Sequence, residues 1–316
     1  MNKQIQDLSY DSLLFCDIET SRQVEELTEN HPHYDVWRYK NRDKDTQELP
    51  THEETVKSYK DKASLFPEFG KIVCISIGYI NGEEIITKSF VGEEVDILRE
   101  AVKAIKGTGR MLAYHNSAFD VPFIRKRWFI NGLPYQDFIK SDAGLKPWDA
   151  EKMLIDTMIL WKGFSFTNTS LDELAMCFNI PSSKFGEVTG ANVGDAYFAG
   201  KIDKIAEYCE KDVVVLGNLI RRWKGDSILE HISKTGQKTE EVKLPILKKL
   251  FNTKQITNES KEELKNIFSK NKLSKKDKEI AFNIVKASLS EIDINFGKVS
   301  NAKEVYEVIN QLKNEL

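Results

Sequence analysis

The stretch Ile72-Val73-Cys74-Ile75-Ser76-Ile77-Gly78-Tyr79-Ile80 limits the possible folds more than any other part of this chain. It is a β-rich apolar run, and it ends at Asn81-Gly82, a dipeptide suited to a tight hairpin turn. Glu84 to Phe90 then pairs back as the next strand. A chain with a hairpin at this point is not an all-helical protein. Leu13, Leu14, Phe15, Cys16 and Ile18 form an earlier buried strand, and Met111–Tyr114 and Leu154-Ile155-Asp156-Thr157 read as two more. Helical spacing governs Val95 to Ile105. A further helix starts near Phe119 and ends around Asn131-Gly132, another covers Ser170 to Phe178, and a long amphipathic one covers Ile202 to Trp223. Three strands, helix, strand, helix, strand and helices predict an α/β fold with a mixed sheet flanked by helices.

Two segments fall outside this alternation. Residues 21–68 are polar and rich in Glu, Lys, Asn and His, and read as a partly helical insertion between the first two strands. After Trp223 the pattern breaks, and the remainder holds lysine-rich helical segments with capping-box signatures at Ser260/Glu263 and, more loosely, Asn301/Glu304. Ile280, Ile284, Val305, Ile309 and Leu312 recur there at helical spacing, as in a small packed all-α region. The expected organisation is a main domain over 1–225 and a small helical domain over 240–316. Residues 1–225 carry 29 basic and 35 acidic side chains, and residues 226–316 carry 17 and 14, so the tail is the basic part.

Composition excludes some classes. The chain is 41% hydrophobic and 30% charged, ordinary for a soluble protein, and no apolar run reaches the ~20 residues of a membrane span. The expectation is a cytoplasmic protein with no membrane partner. Cys16, Cys74, Cys177 and Cys209 lack the spacing of a zinc site and suit a reducing compartment. A net charge of −3 argues against gripping nucleic acid by bulk electrostatics alone.

Three sets of residues carry the chemistry. Asp17 and Glu19 lie two apart in a strand and share a face, with Ile18 on the other. Two such carboxylates at the end of a buried strand repel unless a cation holds them, although a strand that ends in solvated charges has the same spelling. Asp120 closes His115-Asn116-Ser117-Ala118-Phe119-Asp120, after a strand and at the opening of a helix, where simple N-terminal capping is the alternative. Tyr208 and Asp212 are one turn apart on the long helix, beside the core-facing stripe Ile205, Cys209, Val213, Leu216 and Ile220. A surface Tyr beside a solvated Asp is the bland reading of that pair.

Taken together and in order, Asp-x-Glu, Asn-x-x-Phe-Asp and Tyr-x-x-x-Asp resemble the three motifs of DEDDy 3′→5′ exonucleases, a branch of the ribonuclease-H-like superfamily. Phe69 to Tyr79, Leu171-Asp172-Glu173-Leu174 and Pro181-Ser182-Ser183-Lys184 are similar to stand-alone bacterial and phage exonucleases related to the family-B DNA polymerase proofreading domain. The resemblance covers roughly residues 11–223 and leaves the tail aside. It implies a ribonuclease-H-like mixed sheet and hydrolysis of a single strand from its 3′ end, with DNA favoured over RNA although no residue distinguishes the two, releasing 5′-mononucleotides in DNA replication, proofreading or repair. It also implies two divalent ions, Mg²⁺ or Mn²⁺, held by Asp17, Glu19, Asp120 and Asp212. Asp17 would bridge both ions, Glu19 and Asp212 would bind the one that activates water, Asp120 would help hold the second, and Tyr208 would orient the water.

Weaker candidates for contacting the strand are Thr20 through its backbone, Asn116, Phe119, Lys184 and Trp37. Asn116 also reads as a turn residue, Phe119 as core and Lys184 as a solvated lysine. Trp37 stands in a mixture of aromatic and basic residues, His31 to Arg42, that suits either stacking on unpaired bases or packing of the insertion on the domain. Rival functions are an exoribonuclease of the same fold, an idle nucleic-acid-binding module, and an adaptor whose tail recruits a replication protein.

Overall fold

The computed structural model describes residues 5–134, 154–183 and 186–235. The chain divides into two compact units, Met1–Thr235 and Gly236–Leu316. The capping boxes and helical stripe expected over 240–316 lie outside the described residues.

The first unit is built on a six-stranded mixed sheet in the order β5-β4-β1-β2-β3-β6. Its strands are β1 (Leu13–Arg22), β2 (Gly70–Asn81), β3 (Glu84–Val91), β4 (Met111–Tyr114), β5 (Leu154–Asp156) and β6 (Glu230–Ser233). β1 to β3 form an antiparallel meander, and β4, β5 and β6 join it in parallel pairings. The helices among the described residues are α1 (His33–Lys40), α2 (His52–Lys62), α3 (Glu94–Thr108), α4 (Ser117–Ile130), α5 (Thr157–Lys162), α6 (Leu171–Cys177), α7 (Val193–Phe198) and α8 (Ile202–Trp223). The sheet flanked by helices is the expected ribonuclease-H-like arrangement.

Period-two alternation sorts β1 between two cores. Leu14, Cys16 and Ile18 pack with α3 and α4 on one face. Leu13 and Phe15 pack with Val213, Leu216 and Ile220 of α8 on the other. The α8 stripe read from the sequence is buried throughout, with Ile205, Cys209, Val213 and Ile220 at 0% exposure. Two glycines let α8 lie this close. A Cβ on Gly78 would stand 2.6 Å from the Val213 side chain, and one on Gly217 would stand 3.0 Å from Ile85 and Phe15.

The structure differs from the sequence reading in four places. β1 continues to Arg22, so the insertion begins later than residue 21. Ser21 and Arg22 are polar yet buried: both pair with β2, and Arg22 meets Asp195 at 2.8 Å with its guanidinium over the Phe198 ring. The short helices α5 and α7 carry too few turns to show a period. Residues 226–235 are not a break between domains, because β6 hydrogen-bonds to β3 and the first unit extends to Thr235 rather than 225. A short polar edge strand has no hydrophobic alternation to announce it.

Candidate active site

The odd face of β1 that carries Leu13 and Phe15 under α8 carries Asp17 and Glu19 one and two steps further on. Opposite Glu19 in the register stands Cys74, and the β1–β2 pairing shifts between Glu19 and Thr20, an irregularity at the acidic pair. Glu19 is buried at 7% exposure, and Asp17 is half-buried. One ligand atom each from Asp17, Glu19 and Cys209 lies within 4.8 Å of the others. The Cys209 thiol donates to Asp17 Oδ2 at 3.3 Å. Cys209 belongs to the stripe read as core, and its contact with Asp17 leaves no trace in the sequence.

Helix α8 brings the third set of residues. Tyr208 is 9% exposed and its side chain hydrogen-bonds Asp212 one turn on. Burial first, then the negative charges of Asp212, Glu19 and Asp17, push the phenol well above its usual value. An ideal Cβ on Gly190 would stand 3.8 Å from the Tyr208 hydroxyl, so the turn before α7 lies directly over it. Asn192 holds that turn, accepting from the Thr189 N–H at 2.7 Å and donating to the Glu187 carbonyl at 3.1 Å.

Asp120 enters from α4, buried at 6% exposure. It is not the cap of its helix. Asp156, at the end of β5, accepts from the Ser117 N–H at 2.8 Å and the Ser117 hydroxyl at 2.6 Å, and from the Ile159 N–H at 3.0 Å, so one carboxylate caps both α4 and α5. Capping is thus removed as the explanation of Asp120. Asp156 was missed from sequence, where it read only as the end of a strand. Its charge, after burial, is the next largest influence that raises the Asp120 carboxyl, followed by Asp212.

The electrostatics of the cluster are one-signed. Burial raises Asp17 and Glu19 well above the usual carboxylate range, and Asp212 is the next cause for both. Glu19 and Asp120 also act on Asp17, and Asp120 on Glu19. Behind the cluster Glu210 behaves oppositely. Burial pushes it up, but hydrogen bonds from His231, Thr235, Ser233 and Ser89 outweigh that and hold it down at about 2. A donor set of hard carboxylate oxygens, crowded and repelling, fits a divalent ion of the Mg²⁺ or Mn²⁺ type. The thiols of Cys209 and Cys74 are soft groups beside them.

The weaker candidates fare unequally. The Thr20 hydroxyl donates to the Ser64 carbonyl at 2.9 Å, tying β1 to the insertion. Asn116 precedes α4 and makes no side-chain cap, while its carbonyl accepts from the Phe119 and Asp120 N–H groups. Phe119 is half-buried, with its ring 5.3 Å from that of Phe123. Trp37 is corrected: it is 0% exposed, its indole N–H donates to Ser58 at 2.9 Å, and Tyr59, Phe66 and Phe69 meet it edge-on, so no base can stack there. The insertion spends its aromatics on a core of its own. Lys184 lies outside the described residues.

A search among curated proteins finds no match. Residues 66–217 match the model of a family described as predicted 3′-5′ exonuclease related to the exonuclease domain of PolB. That range includes Asp120, Tyr208 and Asp212; Asp17 and Glu19 precede it and reach the site through β1. Over 66–217, just under half of its length, this chain is therefore similar to predicted 3′-5′ exonucleases related to the exonuclease domain of PolB.

Proposed function

We propose that the protein is a metal-dependent exonuclease that removes 5′-mononucleotides from the 3′ end of single-stranded DNA. The observation that carries this reading is the convergence of Asp17 and Glu19 from β1 with Tyr208 and Asp212 from α8, in a cluster whose charges also include Asp120. Asp17, Glu19, Asp120 and Asp212 would hold two divalent ions. When bound, such ions lower the pKa of the attacking water and offset the charge that gathers on the phosphodiester and its leaving oxygen.

The chain's own groups do the positioning. Asp212 orients the Tyr208 hydroxyl, and the raised phenol keeps its proton near neutrality. Tyr208 therefore serves as a hydrogen-bonding guide for the nucleophilic water and not as the base. Burial of Glu19 and Asp120 excludes competing solvent from the cluster. The description of the family by its relation to a DNA polymerase domain supports DNA as the substrate. The lysine-rich residues 240–316 fit a role in contacting the strand or a replication protein, and the free thiols suit a reducing cytoplasm.

The test uses 3′- and 5′-labelled single strands of DNA and RNA with Mg²⁺, Mn²⁺ or EDTA. Expected is stepwise loss from the 3′ end, faster on DNA and abolished by EDTA. Cleavage in EDTA, or internal cutting of a circular strand, overturns the proposal.

A further inference from the structure

Two phenylalanines stand wholly in solvent on the loop between α5 and α6. Phe164 is 107% exposed and Phe166 98%, more than any other large apolar side chain of the described residues. Fully burying one such ring is worth ~1.5–3 kcal/mol relative to leaving it in water, so this exposure forgoes stabilisation twice over within three residues. Scattered surface apolar groups are ordinary, but these two sit on a loop that is built rather than slack.

Several hydrogen bonds hold the loop. Lys162 reaches Asn168 Oδ1 at 3.0 Å across its base. The Ser165 N–H donates to the Lys162 carbonyl at 2.8 Å, and the Ser165 and Thr167 hydroxyls meet at 3.0 Å. The far end of the loop and the start of α5 before it are tied to one residue. His115 Nδ1 meets the Thr157 hydroxyl at 3.0 Å, and His115 Nε2 meets the Thr169 carbonyl at 2.9 Å. His115 ends the β4 crossing and directly precedes Asn116 and the helix that carries Asp120. Phe166 lies three residues from Thr169, so its Cα is at most ~11 Å from the anchored residue.

The surroundings select the occupant. Polar groups stand beside and between the rings along the chain: Lys162, Ser165, Thr167 and Asn168. Ile159 and Trp161 of α5 are exposed as well, at 61% and 45%. Aromatic rings interleaved with hydroxyl, amide and ammonium groups suit stacking of unpaired bases, with polar contacts left over for the sugar-phosphate chain.

We infer that Phe164 and Phe166 form a stacking platform for unpaired bases of the substrate strand upstream of the nucleotide being removed, held in register with the Asp120 motif by His115. The inference rests on the exonuclease reading for its direction along the strand. It makes the enzyme prefer strands long enough to reach the loop.

The experiment compares a labelled trinucleotide and a 20-nucleotide oligo-dT with the full-length wild type, the double variant Phe164→Ala/Phe166→Ala, the apolar variant Phe164→Leu/Phe166→Leu and the aromatic variant Phe164→Trp/Phe166→Tyr. Steady-state hydrolysis is read alongside fluorescence anisotropy of the labelled 20-mer. Base–aromatic stacking is worth ~1–3 kcal/mol per base, or ~5- to 150-fold per ring. The double Ala variant should raise KM for the 20-mer at least tenfold with kcat little altered, and erase the advantage of the 20-mer over the trinucleotide. The aromatic variant should restore that advantage and the Leu variant should not. Unchanged KM and anisotropy in the Ala variant overturn the inference, as does full rescue by Leu, which shows that any apolar side chain serves and that the rings do not act by stacking. If the wild type hydrolyses neither strand, the exonuclease reading falls, and anisotropy alone still decides whether the rings bind the strand.

Discussion

Replacing Asp17 by Asn should stabilise the metal-free protein while abolishing its proposed activity. Ligand oxygens of Asp17 and Glu19 lie within 4.8 Å of one another. At that distance two unit charges repel by ~3 kcal/mol in an effective dielectric near 20. Asp212 and Asp120 push in the same sense. The folded protein relieves the strain by holding protons, and burial and the neighbouring charges raise Asp17, Glu19 and Asp120 above their ordinary values. A carboxyl raised in the folded state contributes stability below its unfolded value, about 4, and that contribution is lost as pH climbs through the folded value. Without metal, the wild type therefore loses stability through these groups as pH rises above about 4. Asp17→Asn removes one charge at nearly constant volume. In EDTA near neutral pH it should exceed the wild type by up to ~3 kcal/mol, with the gap closing toward about pH 4. With Mn²⁺ the wild type should gain Tm by linkage and the variant far less. Urea and thermal unfolding across this pH range, with EDTA or Mn²⁺, read both effects. A variant no more stable than the wild type near neutrality in EDTA, or one that gains as much from Mn²⁺, refutes the picture of a repelling cluster that waits for a cation.

Tyr208→Phe should cut kcat ~10–10³-fold, the range for losing one positioning contact, and leave the Mn²⁺-induced Tm shift intact; an unchanged kcat removes the hydroxyl from the mechanism. Trp37→Ala should cost ~3–5 kcal/mol of stability in a urea titration, as for a large aromatic lost from a packed core, and a variant of wild-type stability would place the ring in solvent after all. Truncation after Thr235 should leave a folded, cleaving protein. Truncation after Gly225 should not, because it strips β6 and the His231, Ser233 and Thr235 contacts from buried Glu210. Circular dichroism of the two truncations distinguishes them, and equal melting curves would show that β6 is dispensable. Asp156→Ala, which uncaps α4 and α5 together, should lower stability by ~1–4 kcal/mol in a thermal melt, and loss of less than ~0.5 kcal/mol would mean that water replaces the carboxylate.

Local pattern carried a good share of this molecule. The Asn81-Gly82 hairpin, the strand alternation that sets Asp17 and Glu19 on one face, and the 202–223 helix with its buried stripe are short-range properties, written in periods of two and 3.6 residues. Those periods state which side chains share a face and say nothing of what the face meets. That Asp17 lies under Cys209, 192 residues away, is decided by the sheet order and by the close seating of α8 on Gly78 and Gly217. The same holds for the side chains whose surroundings overruled their type. Trp37, which suited either stacking on a base or packing of the insertion, closes the insertion's own core, and Arg22, in a stretch read only as polar, is buried against Asp195 and Phe198. β6 and the double cap at Asp156 had no signal to read, because polar residues that form an edge strand or a cap are spelled like those of any loop. Sequence alone determined the longer elements and the faces they present. The tertiary structure decided which faces meet, because burial and ion pairing are free energies of contact between residues far apart in the chain.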